Sequence, residues 1–315
     1  MKKIYLNLLC LMLLSIFHGH AQQITFSPQW TPQSQFAGYY AALENGYYAE
    51  VGLDVSIVHP TQSYNSINML KDGTSDIITS ELIQAMVATD KDIKLVNLLQ
   101  TTQHTTLVLI SHNKDVHKLS DLAGCRIGTW KVGFSEIPYI IDKEHNLGIE
   151  WIKFTNPLNI YISHAIDATL GKSYNERILF SMSGITPGSL LRFSEMGYDY
   201  PEDGLYVSEE FYNKNPEQCR KFAEASRKGW EWVRNNRKEA VDIVMKYVKK
   251  ANVSTNIYVQ KWMLEEVLEM QEDIKGEVPS YRLNVNAFYW LNDVLLKHGY
   301  ISKPIDYERL TGGKQ

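Results

Sequence analysis

Short apolar runs of three to five residues alternate with stretches of helical spacing through most of the chain, which is the pattern of an α/β fold. Residues 24–26 predict a strand and residues 35–45 a helix stopped at Gly46. A strand over 55–58, a helix over 64–72 ended by Gly73 and a strand over 76–79 follow. Ser80 then reads as the N-cap of an apolar helix over 82–89, and 107–111 as another strand. A second set begins after a turn at 120–124. It has a strand over 126–130, a helix over 136–145, a strand over 151–154, a helix over 158–170 and a strand over 178–182.

No Pro/Gly/Ser-rich linker separates the two sets, although two independent domains in series usually show one. The expected alternative is two lobes of one interrupted fold, joined by strands at 107–111 and 204–207. Residues 22–110 with 204–315 would form lobe 1, and residues 111–203 lobe 2. The last third changes character: 216–248, 258–274 and 286–297 predict long amphipathic helices, with Phe222, Ala225, Trp230 and Val233 at helical spacing. Such helices need an existing surface to pack on, most simply lobe 1. The charges around Trp230 and Trp232 read as a solvated face over an apolar one.

The N-terminus departs from this pattern. Lys2 and Lys3 precede an apolar stretch, Leu8 to Phe17, and Gly19-His20-Ala21 supplies small residues where a signal peptidase cuts, so residues 1–21 read as a secretory signal. An apolar run of about ten residues is too short to span a bilayer. Removing this segment leaves 30 basic and 36 acidic side chains, a formal charge of −6. A mildly acidic exported protein is a poor partner for nucleic acid. Cys125 and Cys219 remain; an oxidising compartment would let them pair if close enough, and the sequence favours two buried thiols.

Catalytic patterns are missing: there is no HExxH, P-loop, GxGxxG, CxxC or nucleophile elbow, and no histidine spacing typical of a metal site. No enzyme, metal or cofactor is expected. Aromatic and amide side chains concentrate instead. Residues 30–40, WTPQSQFAGYY, place Trp30 after a strand and Gln35, Phe36 and Tyr39 at the start of a helix. Helix N-termini offer unpaired N–H donors, and in open α/β sheets ligands collect at the carboxyl ends of strands. Core packing is the competing role for Tyr39 and Tyr40. Trp130 ends a second strand before a glycine-framed turn, and Tyr174, Asn175 and Glu176 place a ring, an amide and a carboxylate together. One carboxylate between aromatic rings suits a neutral or weakly basic heteroaromatic ring that bears an amino group.

The run WTPQSQFAGYYAALENGYYAEVGLDV, followed in order by LKDGTSDIITS, LSDLAGCRIGTW and SYNE, resembles the NMT1/THI5-like family of periplasmic solute-binding proteins over residues 24–245. The resemblance implies a type II periplasmic binding protein fold, α/β, with two lobes, two hinge strands and a ligand cleft between them. It also implies an exported monomer in the periplasm that binds a small-molecule ligand and works with an ABC permease, without catalysis. Members that bind thiamine pyrimidine precursors look similar at Trp30, Trp130 and Tyr174-Asn175-Glu176, which implies ligand roles for these residues, with Trp30 and Trp130 sandwiching the ring and Glu176 accepting from its amino group; Gln35, Phe36, Tyr39 and Ser80 are the further candidate ligand residues beside them. Phe36 stands where those members carry histidine. An aminopyrimidine is thus the leading ligand class. The alternatives are an input module for a membrane sensor kinase and a binder of sulfonate-type anions. The family's enzyme branch, a pyrimidine synthase, carries a cysteine-rich run that this chain lacks.

Overall fold

The computed structural model describes residues 22–313 except 62, 63, 132 and 134. The expected signal segment, 1–21, lies outside them. Among the described residues, ten strands form two five-stranded mixed sheets. In lobe 1, β1 (Gln22–Ser27), β2 (Leu53–Ile57), β3 (Ile77–Glu81), β4 (Leu95–Gln100) and β10 (Asp203–Ser208) lie in the order β2-β1-β3-β10-β4. The first three are parallel, and β10 enters antiparallel between β3 and β4. In lobe 2, β5 (Leu107–Ser111), β6 (Arg126–Trp130), β7 (Glu150–Phe154), β8 (Ala168–Lys172) and β9 (Ser189–Arg192) lie in the order β7-β6-β8-β5-β9. Here β6, β7 and β8 are parallel, while β5 runs antiparallel to both β8 and β9.

Each lobe therefore takes one antiparallel strand from the far side of a crossover. Neither β5 nor β10 itself spans the lobes, as was expected for 107–111 and 204–207. The chain crosses one step earlier, at 101–106 and at 199–202, and β5 belongs wholly to the second sheet. The two crossovers are tied side by side: the backbone N–H groups of Thr101 and Thr102 both donate to the Asp203 carbonyl at 2.9 and 3.0 Å, and the hydroxyls of Thr105 and Thr106 donate to the two Glu202 carboxylate oxygens.

Two expected elements exchange identity. The helix expected over 158–170 stops early as Pro157–Ile162, and His164 takes a positive φ of 53°. Asp167 then accepts from the Arg126 backbone N–H at 2.7 Å and pins residues 168–172 beside β6 as a strand. The apolar run 178–182, expected as a strand, lies in the helix Glu176–Met182. An apolar run of five residues suits either element, and burial on one face decides it. β4 and β9 went unpredicted. Ser80 caps no helix; it lies inside β3, and Glu81 occupies the N-cap position of Leu82–Asp90 without a side-chain cap.

The helices of 216–248 and Ile257–Met270 pack on lobe 1 as expected, with a break at Asn236 dividing 216–248 into Pro216–Asn235 and Arg237–Lys250, whereas Val285–Lys297 joins a second apolar cluster that draws residues from both lobes. The first of them crosses Ala37–Glu44 at close range, because Gly38 faces the Trp230 ring: a Cβ on Gly38 would lie 2.2 Å from it. Among the described residues no disulfide joins Cys125 and Cys219; Cys219 is buried and Cys125 half-buried just before β6. Among the described residues, no helix is long and apolar enough to cross a membrane.

Candidate functional site

The carboxyl ends of β1, β3, β6 and β8 converge between the lobes, where apolar runs end in residues such as Glu81, Trp130 and Lys172. A cavity of about 160 Å³ lies there. Seven of the nine expected residues line it: Trp30, Gln35, Ser80, Trp130, Tyr174, Asn175 and Glu176. Phe36 and Tyr39 do not. Both are buried in the core of lobe 1, Tyr39 between the rings of Phe26 and Trp230 and Phe36 against His59. Tyr40 is likewise core.

The tryptophans come from opposite lobes and touch. The Trp30 and Trp130 ring centroids are 5.9 Å apart at an interplanar angle of 79°, an edge-to-face pair. Both rings line the cavity and contact each other directly, in place of the sandwich around a ligand ring expected of them. Trp30 is held by its backbone, whose carbonyl accepts from His59 Nδ1 at 2.5 Å, while His59 Nε2 meets the Tyr40 hydroxyl at 3.0 Å. Burial pushes the His59 imidazole down to about 4, so at neutral pH it is uncharged, donating to Trp30 and accepting from Tyr40.

Trp130 is fixed through its side chain. Its Nε1–H donates to Glu176 Oε1 at 3.0 Å, Asn175 Nδ2 donates to the same oxygen at 3.1 Å, and the Lys172 backbone N–H donates to Oε2 at 2.6 Å. Glu176 is 1% exposed, and burial raises its carboxyl above the usual range despite these donors. Gly171 makes room for it, since a Cβ there would lie 2.5 Å from the Glu176 Cβ.

Sequence reasoning missed the charged floor of the cleft. Lys172 Nζ lies 3.0 Å from Glu81 Oε1 and 2.9 Å from Glu202 Oε1, linking lobe 2 to lobe 1 and to a crossover. Burial alone would lower the Lys172 ammonium, but Glu202 and Glu81 outweigh it and hold it above its usual value. Asp203 accepts from Gln29 Nε2 at 2.8 Å and Gln35 Nε2 at 2.6 Å, so Gln35 acts as a bracket in the cleft wall. Gln29, Gln33, Glu81, Gln84 and Lys172 also line the cavity. The overlooked signal was a charged residue ending an apolar strand, as in residues 77–81 and 168–172.

A family model described as NMT1/THI5 like matches residues 33–240, about two thirds of the chain. The chain belongs to the NMT1/THI5-like family. A formylaminopyrimidine-binding protein of Halalkalibacterium halodurans is 26% identical over 258 residues, covering 78% of this chain and 77% of the relative. A riboflavin-binding protein of Chloroflexus aurantiacus is 23% identical over 305 residues, covering 91% and 84%. A 4-amino-5-hydroxymethyl-2-methylpyrimidine phosphate synthase of Saccharomyces cerevisiae is 24% identical over 230 residues, covering 67% of each chain. Among solved structures, the periplasmic aliphatic sulphonate binding protein of Escherichia coli superposes with a TM-score of 0.67 at 12% identity, over 92% of this chain and 99% of that one. The fold is that of the periplasmic binding proteins.

Proposed function

We propose that this member of the family is an exported solute-binding protein that captures a small, unphosphorylated aminopyrimidine in its interlobe cleft and delivers it to an ABC importer. The observation that carries the reading is the combination of cavity size and charge. A dry cavity of about 150 Å³ suffices for benzene, whereas drug-sized ligands need about 300 Å³ or more. A cleft of about 160 Å³ matches one substituted ring better than the three fused rings and side chain of riboflavin. Two tryptophans flank it, and amide and carboxylate side chains supply hydrogen-bonding partners for a polar ring edge.

The charge pattern argues against anions. Among the described residues, the one basic side chain lining the cleft, Lys172, sits between the carboxylates of Glu81 and Glu202, and Glu176 adds a further carboxylate to the wall. A sulfonate or phosphate would meet carboxylates where it needs donors. The same argument separates this chain from the synthase relatives, whose named product is a phosphate ester. Cleft closure would couple binding to recognition by the permease, since Trp30, Glu81 and Gln84 come from lobe 1 and Trp130, Asn175 and Glu176 from lobe 2.

Mass spectrometry of the small molecules released when the freshly purified exported protein is denatured tests the reading. A single-ring aminopyrimidine is expected. A flavin, a sulfonate or a phosphate ester as the stoichiometric ligand would overturn it.

A further inference from the structure

Hydrogen-bond accounting gives the two carboxylates of the cleft different roles. A carboxylate offers about four acceptor positions. Three of those on Glu176 are filled from within the protein, by Trp130 Nε1, Asn175 Nδ2 and the Lys172 backbone N–H. Glu81, on lobe 1, has a single described partner for its carboxylate, Lys172 Nζ, which lies 3.0 Å from Oε1. Its side chain is 15% exposed and it lines the cavity. Lys172 is anchored on its other side by Glu202, so it stays at the first oxygen and leaves the second for another donor.

A second acceptor stands close by. Gln84 lies three residues beyond Glu81, in the first turn of the helix Leu82–Asp90, and lines the same cavity. Its Nε2 donates across the lobes to Glu136 Oε1 at 2.8 Å, so its amide orientation is fixed by closure, and no described donor reaches its Oε1. An exocyclic amino group has two N–H donors and needs two acceptors. Glu81 and Gln84 supply both from one lobe, whereas Glu176 has little capacity left.

We infer that Glu81, with the Gln84 amide oxygen beside it, receives the amino group of the ligand, and that Glu176 serves instead to hold Trp130 and Asn175 in place. This assignment rests on the reading of the cleft as an aminopyrimidine site and adds which wall the amino group faces. Burial, with Glu202 and Asp203 nearby, raises the Glu81 carboxyl to about 7, while Lys172 pulls it down. A ligand N–H donor favours the ionised form, so binding draws on the same charge that Lys172 stabilises.

The test is a selectivity ratio, which cancels any general loss of folded protein. Titration calorimetry compares 4-amino-5-hydroxymethyl-2-methylpyrimidine with its analogue lacking the 4-amino group, in the wild type, Glu81→Gln and Glu176→Gln. A charge-assisted hydrogen bond corresponds to roughly tenfold or more in Kd, so the wild type should prefer the amino compound by at least about that factor. Glu81→Gln should bring the ratio close to one. Glu176→Gln should weaken both compounds alike and keep the ratio. Glu81→Asp, which preserves the charge beside Lys172 but withdraws it by one methylene, gives the same reading if Glu81→Gln fails to fold. A ratio unchanged in the Glu81 variants, or one that collapses in Glu176→Gln, overturns the assignment and leaves the aminopyrimidine reading standing. A wild type that binds neither ring overturns the reading itself and the assignment with it.

Discussion

Replacing Gly171 with alanine should damage the ligand cleft by a wedge applied from behind. The new Cβ would lie 2.5 Å from the Glu176 Cβ, 2.9 Å from its Cγ and 3.0 Å from Oε2. Carbon atoms in contact prefer about 3.5 to 4.0 Å, so the start of the helix Glu176–Met182 must move away by about 1 Å. Overpacking of this kind costs about 1 to 3 kcal/mol. The shift also breaks the bond from the Lys172 N–H to Glu176 Oε2, now 2.6 Å, and a hydrogen bond to a charged group contributes about 1.5 to 3 kcal/mol. Because the two losses share one displacement they do not simply add, and a total of about 3 kcal/mol is expected. Urea unfolding should show a lower midpoint with an unchanged slope. Trp130, released from Glu176, should change its fluorescence, and ligand affinity should fall. Combining Gly171→Ala with Glu176→Gly removes the side chain that the new Cβ would strike, so the double variant should be more stable than the sum of the single losses by over about 1 kcal/mol. A Gly171→Ala protein within about 1 kcal/mol of wild type, additive with Glu176→Gly, would refute the placement of Glu176 described above.

Three further outcomes follow from the same geometry. Gly38→Ala drives a Cβ to 2.2 Å from the Trp230 ring and should destabilise lobe 1 by about 3 kcal/mol or more, read as a lowered thermal midpoint with the cleft's ligand selectivity intact. Trp30→Ala should weaken ligand binding by about 1 to 3 kcal/mol in calorimetry while leaving unfolding nearly unchanged, because Trp30 is 44% exposed and outside the core. His104 faces two acceptors across the crossovers, Asp199 Oδ2 at 2.6 Å and the Glu272 carbonyl at 3.0 Å, so only its protonated ring makes both bonds. Asp199 raises its pKa, with Asp273 adding in the same direction. The stability this gives is complete below the unfolded value of about 6.5 and is lost as pH rises through the higher folded value. The gap in thermal midpoint between wild type and His104→Gln should therefore shrink on going from about pH 6 to about pH 8.5, and a constant gap would count against the doubly bonded ring.

The two-lobed α/β architecture was legible because strand and helix periods alternate and no linker interrupts them. Most of the cleft was legible too, since Trp30, Trp130 and Tyr174 to Glu176 stand at strand ends where such folds gather their ligands. What the sequence hid depended on contacts between distant segments. Residues 168–172 become a strand through Asp167 and Arg126, 41 positions apart. Phe36 and Tyr39 share a helical turn with Gln35, yet only Gln35 faces the cleft, because the packing of Pro216–Asn235 on lobe 1 claims the aromatic side. Lys172, Glu81 and Glu202 are unremarkable singly and acquire a role only where the crossovers bring them together.

The central claim is that this cleft takes one uncharged, amino-bearing ring. The most direct measurement is calorimetric titration of the ligand-free protein with 4-amino-5-hydroxymethyl-2-methylpyrimidine, its phosphate ester, riboflavin and an alkanesulfonate under one set of conditions. The account predicts one-to-one binding of the unphosphorylated pyrimidine and no measurable heat from the other three. Binding of the phosphate ester, riboflavin or the sulfonate in preference to the free pyrimidine would contradict it.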